Sequence, residues 1–248
     1  MKILFSNFGI YKKGGWGRTY MLAKGISDLG YDVTILTSVH SLKFWRWQRE
    51  QIDKLTVIKI PYCCGQAFIA KGFGFFTLAI RILYSIAHRF DIVHADAGHR
   101  PISGIPCRVN RFIWKSKYYT EWWDHFGKEG QYRTKSKLFK LFLGKYELWS
   151  EVNDKKSADG VIVLSEYMKR RALNIGIDES KILLLHGGAN VEFIKYIDNS
   201  NEVRDKYNIP KDHLIFGFIG MTRGDLDDIL PFIDAFNCLK GQFKLSWL

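Results

Sequence analysis

The run Ala158-Asp159-Gly160-Val161-Ile162-Val163-Leu164-Ser165-Glu166-Tyr167-Met168 sets four consecutive apolar residues, Val161 to Leu164, between polar neighbours. A strand that is apolar at successive positions has both of its faces covered, as in a parallel sheet with helices above and below. Similar short runs recur at Ile3 to Ser6, Val33 to Thr37, Thr56 to Ile60, Ile92 to Ala95, Lys117 to Thr120 and Ile182 to Leu185, with longer helical patterns between them. That cadence predicts an α/β fold built on a doubly wound parallel sheet of Rossmann-like type.

The intervening patterns carry a helical period. Leu22, Ile26 and Leu29 recur at i, i+4 and i+7 and are followed by Gly30, a residue that often ends a helix, so the first two strands read as a β-α-β unit. Phe76, Ala79, Ile80, Leu83, Ile86 and Ala87 fall on one stripe, which is expected to face the core. Near Gly187-Gly188-Ala189-Asn190 the pattern pauses, a polar passage runs from Asp198 to Asp212, and a new strand is expected from Leu214 to Ile219. It leads through Gly220-Met221-Thr222-Arg223-Gly224 into a helix whose buried face is marked by Leu226, Ile229, Leu230, Ile233 and Phe236, with a trailing strand at Phe243 to Trp247. The expected organisation is a first domain over 1–190, a linker over 191–212 and the start of a second Rossmann-like domain over 213–248, because such a domain usually needs ~100 residues or more.

Composition narrows the class. Of 248 residues, 47% are hydrophobic and 25% charged, which fits an ordinary globular chain and argues against disorder. The apolar start runs straight into a glycine-rich loop with no signal-peptide pattern, and Phe73 to Ala87 is too short to span a bilayer. The four cysteines, Cys63, Cys64, Cys107 and Cys238, have neither zinc-site spacing nor a disulfide framework, so a reducing cytoplasm is expected. A formal charge of +12 draws the protein to polyanions. That charge is clustered: no acid occurs from Ala97 to Thr120, and Arg133, Lys135, Lys137, Lys140 and Lys145 follow soon after. No DNA- or RNA-binding module accompanies it, so nucleic acid is not an expected partner.

Several segments could carry chemistry. Gly14-Gly15-Trp16-Gly17-Arg18 lies between the first strand and first helix, where glycines permit close approach and free helix amides can face a phosphate; a tight turn is the competing reading. Tyr20 stands where a dinucleotide fingerprint needs its third glycine, and no acid ends the second strand, which disfavours NAD; no Walker loop occurs. Thr120-Glu121-Trp122-Trp123-Asp124-His125-Phe126-Gly127 follows a strand and should emerge at the carboxyl edge of the sheet. Its tryptophans can stack on sugar rings, or pack in the core, and Glu121, Asp124 and His125 can bind hydroxyls or exchange protons. His94, His99 and His186 are open to structural or site roles, and no spacing indicates a catalytic metal. Lysines mixed with Leu138, Leu141, Phe142 and Trp149, and the run Lys43-Phe44-Trp45-Arg46-Trp47, fit either an anionic membrane surface or helices that bury their apolar side.

Taken in order, the glycine loop, Asp91-Ile92-Val93-His94-Ala95, the opening run through Met168, and Lys181-Ile182-Leu183 on to Gly187-Gly188-Ala189-Asn190 resemble a family 4, GT-B-type glycosyltransferase over nearly the whole chain. The resemblance implies two Rossmann-like domains facing across a cleft, the first holding the acceptor and the second a nucleotide-sugar, with retention of anomeric configuration and no metal or other cofactor. It implies donor or acceptor binding by Gly14, Gly15, Gly17, Arg18, Glu121, Ser165, Glu166, Asn190 and Arg223. A catalytic polar group would be Asp124 or His125, although the family's usual His-Asp order is reversed here. Where the family commonly has an Arg and a later Lys after the glycine matched to Gly220, this chain has Met221 and Asp227, with Arg223 as the substitute. The family's paired donor-binding glutamates lie beyond the last residue. The chain therefore reads as a fragment, a truncated product or one half of a split enzyme, inactive alone, whose unfinished sheet edge favours a complementary half. The expected acceptor is a cell-surface glycan or a lipid-linked molecule, at the inner face of the membrane. The alternative is a non-catalytic partner subunit or membrane-docking module of the same fold.

Overall fold

The computed structural model describes residues 1–40, 46–62, 72–128, 130–189, 191, 194, 200–215, 230–239 and 245–246. Within it, Met1–Gly187 and Gly188–Leu248 are two separate compact units.

The first unit is an eight-stranded sheet in the order β3-β4-β2-β1-β5-β6-β7-β8. The strands are β1 (Lys2–Ile10), β2 (Asp32–His40), β3 (Gln48–Ile52), β4 (Leu55–Tyr62), β5 (Ile92–Ala95), β6 (Lys117–Trp122), β7 (Gly160–Val163) and β8 (Ile182–Leu184). All neighbours pair in parallel except β3 with β4. The expected α/β fold with a doubly wound sheet is therefore the observed one. The edge strand β3, Gln48-Arg49-Glu50-Gln51-Ile52, was not foreseen because it has no apolar run; its polar residues suit an edge that must not recruit further strands.

Among the described residues of this unit the α-helices are α1 (Trp16–Asp28), α2 (Phe75–Ala87), α3 (Pro101–Trp114), α4 (Lys137–Ser157) and α5 (Glu166–Asn174). Alternate residues of the strands feed two cores. Ile3, Phe5, Val33, Ile35 and Val57 pack with Trp16 and Ala23 of α1. Leu4, Leu36, Ile58 and Ile60 pack with Ile80 and Tyr84 of α2, Cys107 of α3 and Met168 and Ala172 of α5. This two-sided burial explains why the strand sequences lack alternation.

Helix register differs from expectation in three places. In α1 the buried residues are Trp16, Thr19, Ala23 and Ser27; Leu22 and Ile26 flank them, while Leu29 is exposed beside the chain reversal at Gly30, whose φ is +92°. In α2 the expected core stripe faces outward except at Ile80: Thr77, Ile80, Arg81, Tyr84 and Ser85 are buried, and Phe76, Ala79, Leu83, Ile86 and Ala87 are exposed. In α4 the inward residues include Glu147, Ser150, Glu151, Asp154 and Lys155, and Leu138, Leu141, Phe142 and Trp149 are exposed, so that helix does not bury its apolar side. The physical reason is a demand for polar partners inside. Arg81 donates to the carbonyl oxygens of Asn7 and Ile102, both at 2.8 Å, and to Ser38 Oγ at 2.7 Å. Full burial lowers its pKa to about 10, against the opposing pull of the Asp96 carboxylate.

The second unit contains α6 (Ser200–Lys206), β9 (Leu214–Ile215), α7 (Leu230–Leu239) and β10 (Leu245–Ser246), with β10 parallel to β9. Phe236 is buried and Ile233 half-buried as the helical spacing requires, but Leu230 is exposed. Asn190, Leu226 and Ile229, the passage Gly220–Gly224 with Arg223, Cys63, Cys64 and Lys43–Trp45 lie outside the described residues.

Candidate functional site

The carboxyl ends of β1, β5 and β6 lie side by side, since β1 pairs with β5 and β5 with β6. Ligands of open parallel sheets bind at this edge. The glycine loop follows β1. Gly14 has φ +55°, so it does serve a tight turn, and a side chain added at Gly14 or Gly17 would meet nothing within 4 Å. Trp16 anchors the loop: its indole packs edge-on against Tyr11 and stacks on Tyr20.

Beneath the first turn of α1, Arg18 Nε donates to Glu121 Oε2 at 2.8 Å. His94 Nε2 stands 3.3 Å from the other carboxylate oxygen. The two atoms face each other without the alignment of a regular hydrogen bond. Arg18 Nη2 and His94 Nδ1 are also buried, with no hydrogen-bond partner. Buried polar atoms in folded proteins are overwhelmingly satisfied, so these two nitrogens in one cluster hold bonding capacity open to a ligand. Burial pushes the Glu121 carboxyl upward, but the neighbouring His94 and Arg18 outweigh it and hold the group below its ordinary range.

Next to this cluster Asp96 ties the loop to the sheet. Its carboxylate accepts from Asn7 Nδ2 at 2.7 Å, from Ser103 Oγ at 2.9 Å and from the Phe8 amide at 3.0 Å. Complete burial nevertheless raises its pKa to about 6. Asp96, Asn7 and Ser103 were not among the residues singled out from the sequence. Asn7 and Asp96 are 89 positions apart, and only the strand order brings them together.

The Trp-Trp segment divides. Trp122 is fully buried, with Nε1 donating to Glu151 and the Arg171 guanidinium 4.9 Å over its ring, so it cannot stack on a sugar. Trp123 is half-buried, stacks on Phe8 at 6.0 Å and donates to the Asp96 carbonyl. Both oxygens of Asp124 are used locally, by the His125 amide at 2.7 Å and by the Gln131 side-chain amide. His125 instead lines a cavity of about 710 Å³ with Lys128, Glu151, Tyr167, Arg170 and Arg171. Ser165 caps α5 by accepting from the Met168 amide, and Glu166 is exposed in its first turn. His99 is fully buried, and burial lowers its pKa so that the ring stays neutral; exposed His186 donates from Nδ1 to the Leu164 carbonyl oxygen. Among the described residues no group of His, Cys, Asp and Glu could hold a metal ion. The structure thus brings Arg18 and Glu121 into one cluster with His94, beside the glycine loop, and sets His125 on a second, cationic wall.

A glycosyl transferase 4-like domain matches residues 13–188, well over half of the chain and containing every element of this edge from the glycine loop onward. The chain belongs to this glycosyltransferase family. Curated proteins give no sequence match. The glycosyltransferase fold is shared with sucrose-phosphate synthase from Thermosynechococcus elongatus, at 16% identity and a TM-score of 0.60 over 86% of this chain and 54% of that one. It is shared also with HepE from Anabaena, solved with UDP, at 12% identity and a TM-score of 0.58 over 100% of this chain and 69% of that one. HepE solved with UDP-glucose gives 12% identity and a TM-score of 0.57, covering 100% and 68%. The chain spans about half the length of that sucrose-phosphate synthase. At these identities the likeness is one of GT-B fold.

Proposed function

We propose that this chain forms the acceptor-side wall of a retaining glycosyltransferase that moves a sugar from a nucleotide-sugar donor to a cell-surface glycan or lipid-linked acceptor. The observation that carries the reading is the Arg18–Glu121–His94 cluster, in which the buried nitrogens Arg18 Nη2 and His94 Nδ1 have no hydrogen-bond partner, set beside an open glycine loop at the ligand edge of the sheet. UDP and UDP-glucose are bound by HepE, which supports a donor of that class. Gly14, Gly15 and Gly17 let a diphosphate or an acceptor hydroxyl approach the backbone, and Arg18, oriented by Glu121, supplies positive charge where the leaving diphosphate develops its own. His125 orients the acceptor hydroxyl from the cavity wall, and Asp124 acts through the loop it caps. Donors of this kind place the reaction on the cytoplasmic side of a membrane. The non-catalytic alternative draws no support from the family match.

Isotope-labelled protein titrated with UDP is expected to show amide shifts at Gly14 to Arg18. Incubation with radiolabelled UDP-sugars and a lipid extract is expected to yield labelled product with the donor's anomeric configuration. Arg18→Ala should lower product at least about tenfold, the usual scale for losing one charge-stabilising donor, in protein that still folds but melts earlier because buried Glu121 loses its partner. Equal turnover by wild type and Arg18→Ala would remove the cluster from the mechanism, and an inverted product would remove retention.

A further inference from the structure

The reversed registers of α2 and α4 leave a large apolar surface in water. Phe75 at the start of α2 is 79% exposed, and on α4 Leu138, Leu141, Phe142 and Trp149 are 69%, 75%, 75% and 60% exposed. Leu83 and Ile86 continue the α2 side, and Phe112 and Ile113 extend it at the end of α3, which packs beside α2. Ring contacts join α4 to the segment leading into α2: Phe73 meets Phe139 at 5.7 Å and Tyr146 at 6.1 Å, and Tyr146 meets Trp149 at 6.1 Å. Soluble proteins seldom leave contiguous apolar surface of this kind uncovered. These helices cannot simply roll over, because their inner sides hold Arg81, Glu147, Glu151, Asp154 and Lys155 in buried pairs and hydrogen bonds.

Charge selects the cover. Residues 72–90 and 97–120 contain no acid, and the acids between 130 and 157, namely Glu147, Glu151 and Asp154, are all buried. Arg133, Lys137, Lys145 and Lys156 are exposed around the apolar residues. The surface is therefore apolar and cationic with no exposed acid in those three segments. A second copy docking by the same face would set lysine against lysine. A surface that is anionic outside and apolar beneath complements it, which describes a bilayer containing acidic phospholipid. We infer that the outer sides of α2 and α4 dock this protein on an anionic lipid bilayer, with Leu138, Leu141, Phe142 and Trp149 entering the headgroup boundary and Lys137 and Lys145 meeting lipid phosphates. The inference rests on these helices alone and is independent of donor and acceptor.

Co-sedimentation of the full chain with phosphatidylcholine vesicles, with and without phosphatidylglycerol, tests it. Wild type is expected to bind the acidic vesicles, more weakly as salt rises. The exposed pair Leu141→Ser and Phe142→Ser should lower partitioning by about tenfold or more, and Lys137→Glu with Lys145→Glu should abolish the preference for phosphatidylglycerol. Both double variants should keep the wild-type circular dichroism melt, since none of the four side chains is buried. In an independent reading, brominated lipid should quench wild-type tryptophan emission more than that of Trp149→Phe. Equal partitioning of wild type and the serine variant would overturn the inference. So would a lack of vesicle binding by wild type, or self-association in sedimentation velocity that the serine pair abolishes while lipid binding persists unchanged.

Discussion

Strand β6 sends successive side chains to opposite sides of the sheet, and each side receives a buried cluster of charge. On the α4 side, Tyr118 and Thr120 meet Asp154, which also accepts from Arg108 and Lys155 at 2.8 Å each and from the Tyr118 hydroxyl. No buried side-chain atom of that cluster is left without a partner. On the α1 side, Glu121 meets Arg18 and His94, and two buried nitrogens, Arg18 Nη2 and His94 Nδ1, are left over. A few residues of one strand thus separate a closed network from an open one. The closed network spends its charges on the fold; the open one holds bonding capacity in reserve for a ligand.

Removing the centre of the closed network should have the largest effect. Asp154→Ala leaves Arg108 and the fully buried Lys155 without their counter-charge, and should cost ~3–5 kcal/mol in urea unfolding. A cost below ~1 kcal/mol would break the contrast. Asp96 should follow, with a pH signature. Burial lifts its carboxyl from 3.8 to about 6, so its protonated form belongs to the folded state. Its stabilising contribution is fully present below 3.8 and is lost as pH rises through about 6, on the order of 3 kcal/mol. Urea midpoints measured against pH should show this fall in wild type but not in Asp96→Asn. Glu121→Gln should cost only ~1–2 kcal/mol in stability while lowering sugar transfer or UDP binding at least about tenfold; a stability loss matching Asp154→Ala with unchanged binding would reverse the two assignments. Gly17→Ala should act least on the fold, raising stability by ~0.5–1 kcal/mol through helix propensity because its Cβ meets nothing. The same methyl should weaken UDP binding if the open space is the ligand's.

The sheet was legible because burial on two faces leaves a signature in single segments such as Val161 to Val163. β3 was not, since an antiparallel edge strand of Gln48, Arg49, Glu50 and Gln51 has no apolar run to find. Periodicity located α2 and α4 but could not say which side turns inward. That choice depends on remote polar partners: the carbonyls that Arg81 reaches, and the tyrosine, threonine and arginine that converge on Asp154. Arg18 was readable as the end of the glycine loop and Glu121 as a polar residue at a strand end, yet their pairing across 103 positions was not, and neither was the recruitment of His94. For Trp122 the sequence leaned towards stacking on a sugar over packing in the core, and the indole bond to Glu151 decides for packing.

Gly98 and Gly104 give this edge a mechanical property. A methyl group at Gly104 would overlap the Gly98 carbonyl, and one at Gly98 would overlap Asp154 and the Tyr118 hydroxyl. Helix α3 therefore starts hard against the turn that leaves β5, with Asp96 only two peptide units from the closed network. Neither glycine leaves room for a side chain, and this tight packing keeps the Asp96 end of the glycine loop a short way from the Arg108–Asp154 pair.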